Sequence, residues 1–109
     1  MKRVGVIFGG VTCEHEVSIV TGLQLIGNID RTKYEVVPIY IHSDGEWYVG
    51  DKLLDGTIYK DFDSYKGRMD KGFIPPNRPG ILMQNKGFMG RWKIRAYTDF
   101  REYVKIAFV

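Results

Sequence analysis

The sequence predicts an α/β fold, Rossmann-like, with a mostly parallel sheet and a β-hairpin excursion. Three observations carry this. Val4–Phe8 is a nearly unbroken apolar run closed by Gly9 and Gly10, the signature of a strand covered on both faces. Apolar residues then recur at helical spacing from about Cys13 to Ile29, and a second β-branched and aromatic run, Tyr34–Ile41, follows. Strand, helix and strand in that order make a βαβ unit, whose right-handed crossover sets the two strands parallel.

Each element has a local reason. In the helix, Val17, Val20, Leu23 or Gln24, Ile26 and Ile29 define a buried stripe, with Ile19 and Leu25 beside it. Thr12 is the expected N-cap, and glutamates in the first turn suit the positive end of the helix dipole. Gly22 and Gly27 each weaken the helix by roughly 1 kcal/mol relative to alanine. Pro38 argues that Tyr34–Ile41 is an edge strand or contains a bulge. His42-Ser43-Asp44-Gly45 is turn chemistry, so Glu46–Val49 folds back on Tyr40-Ile41 as a hairpin. Lys52–Tyr65 has weak helical spacing, and Gly67–Gly80, with Pro75, Pro76 and Pro79, reads as loop. Ile81–Gln84 and Trp92–Ala96 read as two antiparallel strands around the turn Asn85–Gly90. Asp99–Tyr103 reads as a single helical turn, and Val104–Val109 as a buried parallel strand. That last strand lacks its covering helix, which predicts a fragment.

Composition excludes several classes. The 109 residues suit one domain; 44% are apolar and 27% charged, as in ordinary globular proteins. The net charge is +3, and the basic residues of the second half are spread among acids in no block of five or six, which argues against nucleic acid. Cys13 is the single cysteine, so no internal disulfide or multi-thiolate metal site can form. No run approaches 18 apolar residues, so no membrane span is expected and a cytoplasmic place is.

The chemistry concentrates in Phe8–Ser18, FGGVTCEHEVS, where the first strand turns into the first helix. In open α/β sheets ligands bind at the carboxyl ends of strands. Gly9 and Gly10 allow positive φ and a close approach to a ligand, and free N–H groups at the helix start attract anions. The run is not GxGxxG, GxxxxGK is absent, and His42 and Ser43 stand where a dinucleotide site would want an acid. Glu14 and Glu16 could hold an ammonium or position a reacting amine, but spacing alone favours solvated helix-end charges. His15 reads as a surface residue and His42 as a solvated turn residue. Tyr34, Tyr40, Trp47 and Tyr48 read as core and hairpin packing rather than as a base-stacking platform.

Gly9-Gly10-Val11-Thr12-Cys13-Glu14-His15-Glu16-Val17-Ser18 resembles the N-terminal signature of D-alanine:D-alanine ligases, members of the ATP-grasp superfamily. The likeness continues through Asp30–Ile39 and the Asp44-Gly45-Glu46-Trp47 hairpin. Val104–Val109 resembles the strand that leads, in that family, into a Leu-His-Gly substrate loop.

The resemblance implies that residues 1–109 are the N-terminal, substrate-binding pre-ATP-grasp domain alone. The whole enzyme would join two D-alanines for peptidoglycan synthesis. ATP phosphorylates the first D-alanine to an acyl phosphate, which the amine of the second attacks. Glu14 would bind the ammonium of the first D-alanine, Val17 and Ser18 would line the same corner with Gly9 and Gly10, Glu16 would be structural, and Cys13, where the family usually has a small residue, would be a buried small side chain rather than a nucleophile. Ser18 would tether Glu14, or simply bond within the helix N-terminus. ATP and magnesium would be held by the missing ATP-grasp domains, with no metal ligand in this chain. A homodimer is expected from family habit and the uncovered last strand. The other reading is a non-catalytic Rossmann-like module that binds a ligand or dimerises.

Overall fold

The computed structural model describes residues 2–11, 13–73, 82–88, 91–97 and 100–106, with side chains placed from Val4 to Phe73 apart from position 12. Strand β1 (Lys2–Gly9) feeds helix α1 (His15–Asn28), which returns through Asp30–Lys33 to β2 (Tyr34–Ile41). β1 and β2 are parallel and in register from Lys2↔Tyr34 to Gly9↔Ile41, the βαβ unit expected from the sequence. β3 (Trp47–Val49) folds back antiparallel on β2, pairing Tyr48 with Tyr40. The turn between them is an Asx turn: Asp44 Oδ1 accepts the Glu46 N–H at 2.8 Å, with Gly45 at φ 87°.

After β3 the chain makes 3-10 turns at Asp51–Leu54 and Gly56–Asp61, a single α-turn α2 (Phe62–Tyr65) and a last 3-10 turn Lys66–Arg68. The first three bury one anchor each, Leu53, Ile58 and Phe62 in order. The strands β4 (Asp70–Phe73), β5 (Leu82–Phe88), β6 (Arg91–Tyr97) and β7 (Phe100–Ile106) complete a seven-stranded sheet in the order β6-β5-β4-β3-β2-β1-β7.

The domain is α/β, as its sequence predicts. Its parallel part is β7-β1-β2, with β7 parallel to β1 on the side away from β2. The excursion is larger than the one hairpin expected, since β2-β3, β3-β4, β4-β5 and β5-β6 are all antiparallel. Within the Gly67–Gly80 stretch expected as loop, Asp70–Phe73 is a strand. It has no apolar alternation and owes its conformation to pairing with β3 and β5 on its two sides. β5 and β6 reach further than expected and absorb most of the turn Asn85–Gly90. Phe100–Tyr103, the described part of the helical turn expected over Asp99–Tyr103, is instead the start of β7, recruited by the edge of β1. Asp99 and Ala107–Val109 lie outside the described residues, as do the side chains of β7 and hence the burial expected of that strand.

β1 and β2 bury side chains on both faces. Val4, Val6, Phe8, Val36 and Tyr40 face α1 and the 51–68 segment, where Ile19, Ile26, Leu53, Ile58 and Phe62 close one core. Ile7, Val37, Ile39 and Val49 form a second core on the opposite face, with Ile41 and Trp47 against it. Burial of a side chain of this size is worth about 1.5–3 kcal/mol. As expected, Tyr40 and Tyr48 are core residues and Tyr34 and Trp47 pack half-buried against it.

The buried face of α1 differs from the expected stripe. Ser18, Ile19, Gly22 and Ile26 are buried, whereas Val17 and Val20 are 50% and 57% exposed. Gly22 explains the rotation. A Cβ there would stand 2.6 Å from Phe8 Cβ, so the missing side chain lets the helix backbone settle on β1.

Pro38 is buried inside β2, with no bulge recorded in its pairing to β1. Its carbonyl accepts the Gly50 N–H at 3.2 Å, on the side where the β3 ladder has already ended at Ile39↔Val49. N and C=O of one strand residue point the same way, so the absent N–H falls where no ladder bond was due. β2 is interior as a strand, and Pro38 occupies a local end of its pairing.

Candidate functional site

β1 ends at Gly9 against Ile41, and both glycines take positive φ, 90° and 111°. The Gly10 N–H donates to the Ile41 carbonyl at 2.8 Å, which pins the turn to the tip of β2. Space at Gly9 is tight, since a Cβ would meet the Ile41 carbonyl oxygen at 2.4 Å; Gly10 has open space. The expectation of a glycine turn at the carboxyl end of the first strand is met, for steric reasons at Gly9 and conformational ones at both.

Glu14 is the N-cap residue of α1. Its carbonyl accepts the Ser18 N–H at 2.9 Å and opens the helix, while its exposed side chain makes no cap bond. Thr12, the expected cap, lies outside the described residues. Glu16 sits in the first helical turn, exposed, beside the positive end of the dipole.

Ser18 is 1% exposed, and its Oγ accepts the Gly9 N–H at 3.0 Å. The helix thereby holds the turn that precedes it. Ser18→Ala leaves the buried Gly9 N–H without that acceptor, so a loss of about 1–3 kcal/mol is expected in denaturant unfolding. An unchanged midpoint would show that the bond contributes nothing.

Val17 is half-exposed on the same turn of α1, and Val11 is 66% exposed. Cys13 is exposed rather than buried. The reason is that α1 begins at His15, two residues later than expected, so Cys13 belongs to the projecting turn and not to the helix's inner stripe.

The two histidines are the larger correction. His15 and His42, expected in solvent, are linked through Tyr40. The Nδ1–H of His15 donates to the Gly10 carbonyl, and its Nε2 lies 2.7 Å from the Tyr40 hydroxyl. The same hydroxyl lies 3.0 Å from His42 Nδ1, and the Nε2–H of His42 donates to Asp63 at 3.0 Å. His42 is 8% exposed and packs on Phe62 with centroids 4.8 Å apart. Lys66 completes the array, 3.2 Å from Asp63 and 3.6 Å from Asp44.

Electrostatics follow from these contacts. Hydrogen bonds from His42 and Lys66 hold the Asp63 carboxyl below the usual carboxylate range, so Asp63 is an ionised acceptor near neutrality. Burial, reinforced by Asp44 and Asp63, pushes the Tyr40 hydroxyl far above the ordinary phenol range, so Tyr40 keeps its hydrogen. Tyr59 is driven in the same direction by burial.

Sequence reasoning had gathered Gly9, Gly10, Glu14, Val17 and Ser18 at one corner, and the fold brings them there. It missed Tyr40, His42 and Asp63 as partners of that corner; the available signal was the Tyr-x-His alternation, which puts both rings on one face of β2 and its exit. Among the described residues no group of three or more His, Cys, Asp or Glu comes together as metal ligands would. No helix among them is long and apolar enough to cross a membrane.

Comparison with known proteins gives the corner a context. Residues 3–107 match the family described as D-ala D-ala ligase N-terminus. The chain is 45% identical over 71 residues to a D-alanine–D-alanine ligase of Thermosipho melanesiensis, covering 65% of this chain and 20% of that protein. It is 45% identical over 89 residues to one of Clostridium acetobutylicum, covering 78% and 23%. The solved D-Ala:D-Ser ligase VanG of Enterococcus faecalis superposes with a TM-score of 0.60 at 31% identity, over 76% of this chain and 24% of that one. The D-alanine–D-alanine ligase of Helicobacter pylori gives a TM-score of 0.67 over 98% of this chain and 30% of that one; at 18% identity it shows the shared fold alone. The chain thus spans about a fifth of the length of the curated relatives it matches.

Proposed function

The chain belongs to the family of D-ala D-ala ligase N-terminal domains, and from that premise we propose that it is the part of a D-alanine–D-alanine ligase that receives the first D-alanine. The observation that carries the reading is the position of Glu14: an exposed carboxylate at the start of α1, carried by a glycine turn at the carboxyl ends of two parallel strands. A carboxylate so placed can accept a charge-assisted hydrogen bond from a bound ammonium. Val17 offers apolar surface one helical step on, suited to a methyl group, and Ser18 keeps the turn in place through Gly9.

In this reading Glu14 binds and orients the amino end of the first D-alanine, leaving its carboxylate directed toward the nucleotide. In this reading the metal and the ATP are held by ATP-grasp domains of the full-length ligase. The acyl phosphate forms there. The domain's own work is to bind and orient, in the cytoplasm, in support of peptidoglycan synthesis. Alone it releases no phosphate from ATP.

The test is a chimera in which this chain replaces the matching segment of the Thermosipho melanesiensis ligase. D-alanine-dependent phosphate release from ATP is expected, and Glu14→Gln should raise the KM for the first D-alanine by roughly 10- to 100-fold, the worth of a hydrogen bond to a charged group. An active chimera indifferent to Glu14→Gln would remove Glu14 from the site. A folded but inert chimera would favour the non-catalytic ligand-binding or dimerisation module.

A further inference from the structure

Behind the glycine turn runs an unbroken file of polar contacts: the Gly10 carbonyl, His15, Tyr40, His42 and Asp63. Counting hydrogens decides its charge. A carbonyl oxygen and an ionised carboxylate only accept, so His15 Nδ1 and His42 Nε2 must each carry a hydrogen. Between the rings stands one hydroxyl with one hydrogen. Four hydrogen bonds need four hydrogens, whereas two neutral imidazoles and a phenol supply three.

We propose that the file holds one extra proton, an imidazolium charge shared by His15 and His42 through Tyr40 and opposed by Asp63, and that His15 uses it to position the turn presenting Glu14. With the charge on His42, the Tyr40 hydroxyl accepts from His42 and donates to His15. With the charge on His15, both directions reverse: His42 Nδ1 passes its proton to the Tyr40 oxygen as the Tyr40 hydrogen passes to His15 Nε2. Nothing else moves.

Among the described residues, the following groups face the file. Asp63 and Lys66 meet it from α2 and the turn after it, and Asp44 stands beside Lys66. Tyr48 of β3 and Tyr59 of the 3-10 turn pack on its rings, Glu46 lies in the β2–β3 turn, and Cys13, Glu14 and Glu16 flank His15 along the chain. Among the described residues the cations here are Lys66 and, 3.7 Å from Glu46, Lys71 of β4, against five carboxylates. When the extra proton leaves, three hydrogens serve four contacts and one junction sets lone pair against lone pair. If that junction is at His15, the Gly10–Glu14 turn loses a support. On the acid side, protonating Asp63 leaves a weaker, uncharged acceptor at the far end, so the opposing charge is lost as pH falls through the lowered Asp63 value.

The positioning role rests on the proposed function of Glu14, whereas the proton count does not. Nitrogen NMR of the imidazoles tests the count directly, because His15 and His42 are the two histidines of the chain. While all four contacts are made, a doubly protonated imidazole is expected. Wherever it gives up its proton, both rings and the Gly10 and Glu14 amides should respond in one shared transition. Tyr40→Phe should split this into two independent ring transitions and detach the Gly10 and Glu14 amides from that of His42. Two singly protonated imidazoles throughout, or two independent transitions in the unaltered protein, would overturn the proposal, and the unaltered protein decides it even if Tyr40→Phe does not fold. No ligand is needed, so a failed D-alanine assay leaves the count standing, and a failed count leaves Glu14 free to bind.

Discussion

Gly9→Ala is expected to destabilise the protein by roughly 2–6 kcal/mol, combining about 1–3 for a non-glycine residue held at φ 90° with about 1–3 for forced overpacking. The added Cβ would stand 2.4 Å from the Ile41 carbonyl oxygen and 2.8 Å from Tyr40 Cε1. Ile41 cannot yield cheaply, because its carbonyl accepts the Gly10 N–H at 2.8 Å. Tyr40 cannot either, since its ring is buried and its hydroxyl joins His15 to His42. Gly10→Ala is the matched comparison: φ is 111° but nothing lies within 4 Å of the new Cβ. It should show the conformational part alone, about 1–3 kcal/mol. Denaturant midpoints at a common slope measure both. Equal losses at the two positions would mean that the Ile41 contact is not a constraint.

Phe62→Ala carries the second large effect, about 3–5 kcal/mol for a buried phenylalanine reduced to a methyl group. Phe62 is 2% exposed, and its ring lies 4.7 Å from Tyr40, 4.8 Å from His42 and 5.0 Å from Tyr48 between centroids. Its ring packs over the Tyr40–His42 part of the file, where both rings are buried. Loss of stability should therefore be accompanied by wetting of His42, read as faster solvent exchange of its Nε2 hydrogen. Phe62→Leu, which keeps most of the volume, should recover a large part of both. If Phe62→Ala costs less than about 1 kcal/mol, the site collapses far better than its packing suggests.

Much of the fold was legible in the sequence because its signals are local. β1 and β2 are covered on both faces, so their apolar runs are continuous, and glycine pairs and turn residues mark their ends. The corner of Gly9, Gly10, Glu14 and Ser18 was legible for the same reason: ten consecutive residues build it. What sequence reasoning missed depends on partners far along the chain. His42 is polar and follows a strand, which reads as solvent, yet Asp63 lies 21 positions away and makes its burial affordable. Tyr40 is 25 positions from His15. Val17 and Val20 carry the hydrophobic pattern, but the helix turns its glycine, not its valines, toward Phe8. Glycine has no hydropathy signal, so a face chosen by backbone contact is invisible to periodicity. In the 51–68 segment, Leu53, Ile58 and Phe62 are spaced by short 3-10 turns and follow neither a helical nor a strand period.

The position of β1 between β2 and β7 sets an order of assembly. Its pairing with β2 closes over some thirty residues, and its pairing with β7 joins Arg3 to Phe100 across nearly the whole chain. The longer closure costs about 1 kcal/mol more chain entropy, a small penalty in equilibrium but a delay in time. On the ribosome, β1, α1 and β2 can dock while the β7 side of β1 is still an open edge. During synthesis that half-built sheet is a template for any passing strand, and translation past residue 106 is what retires the hazard.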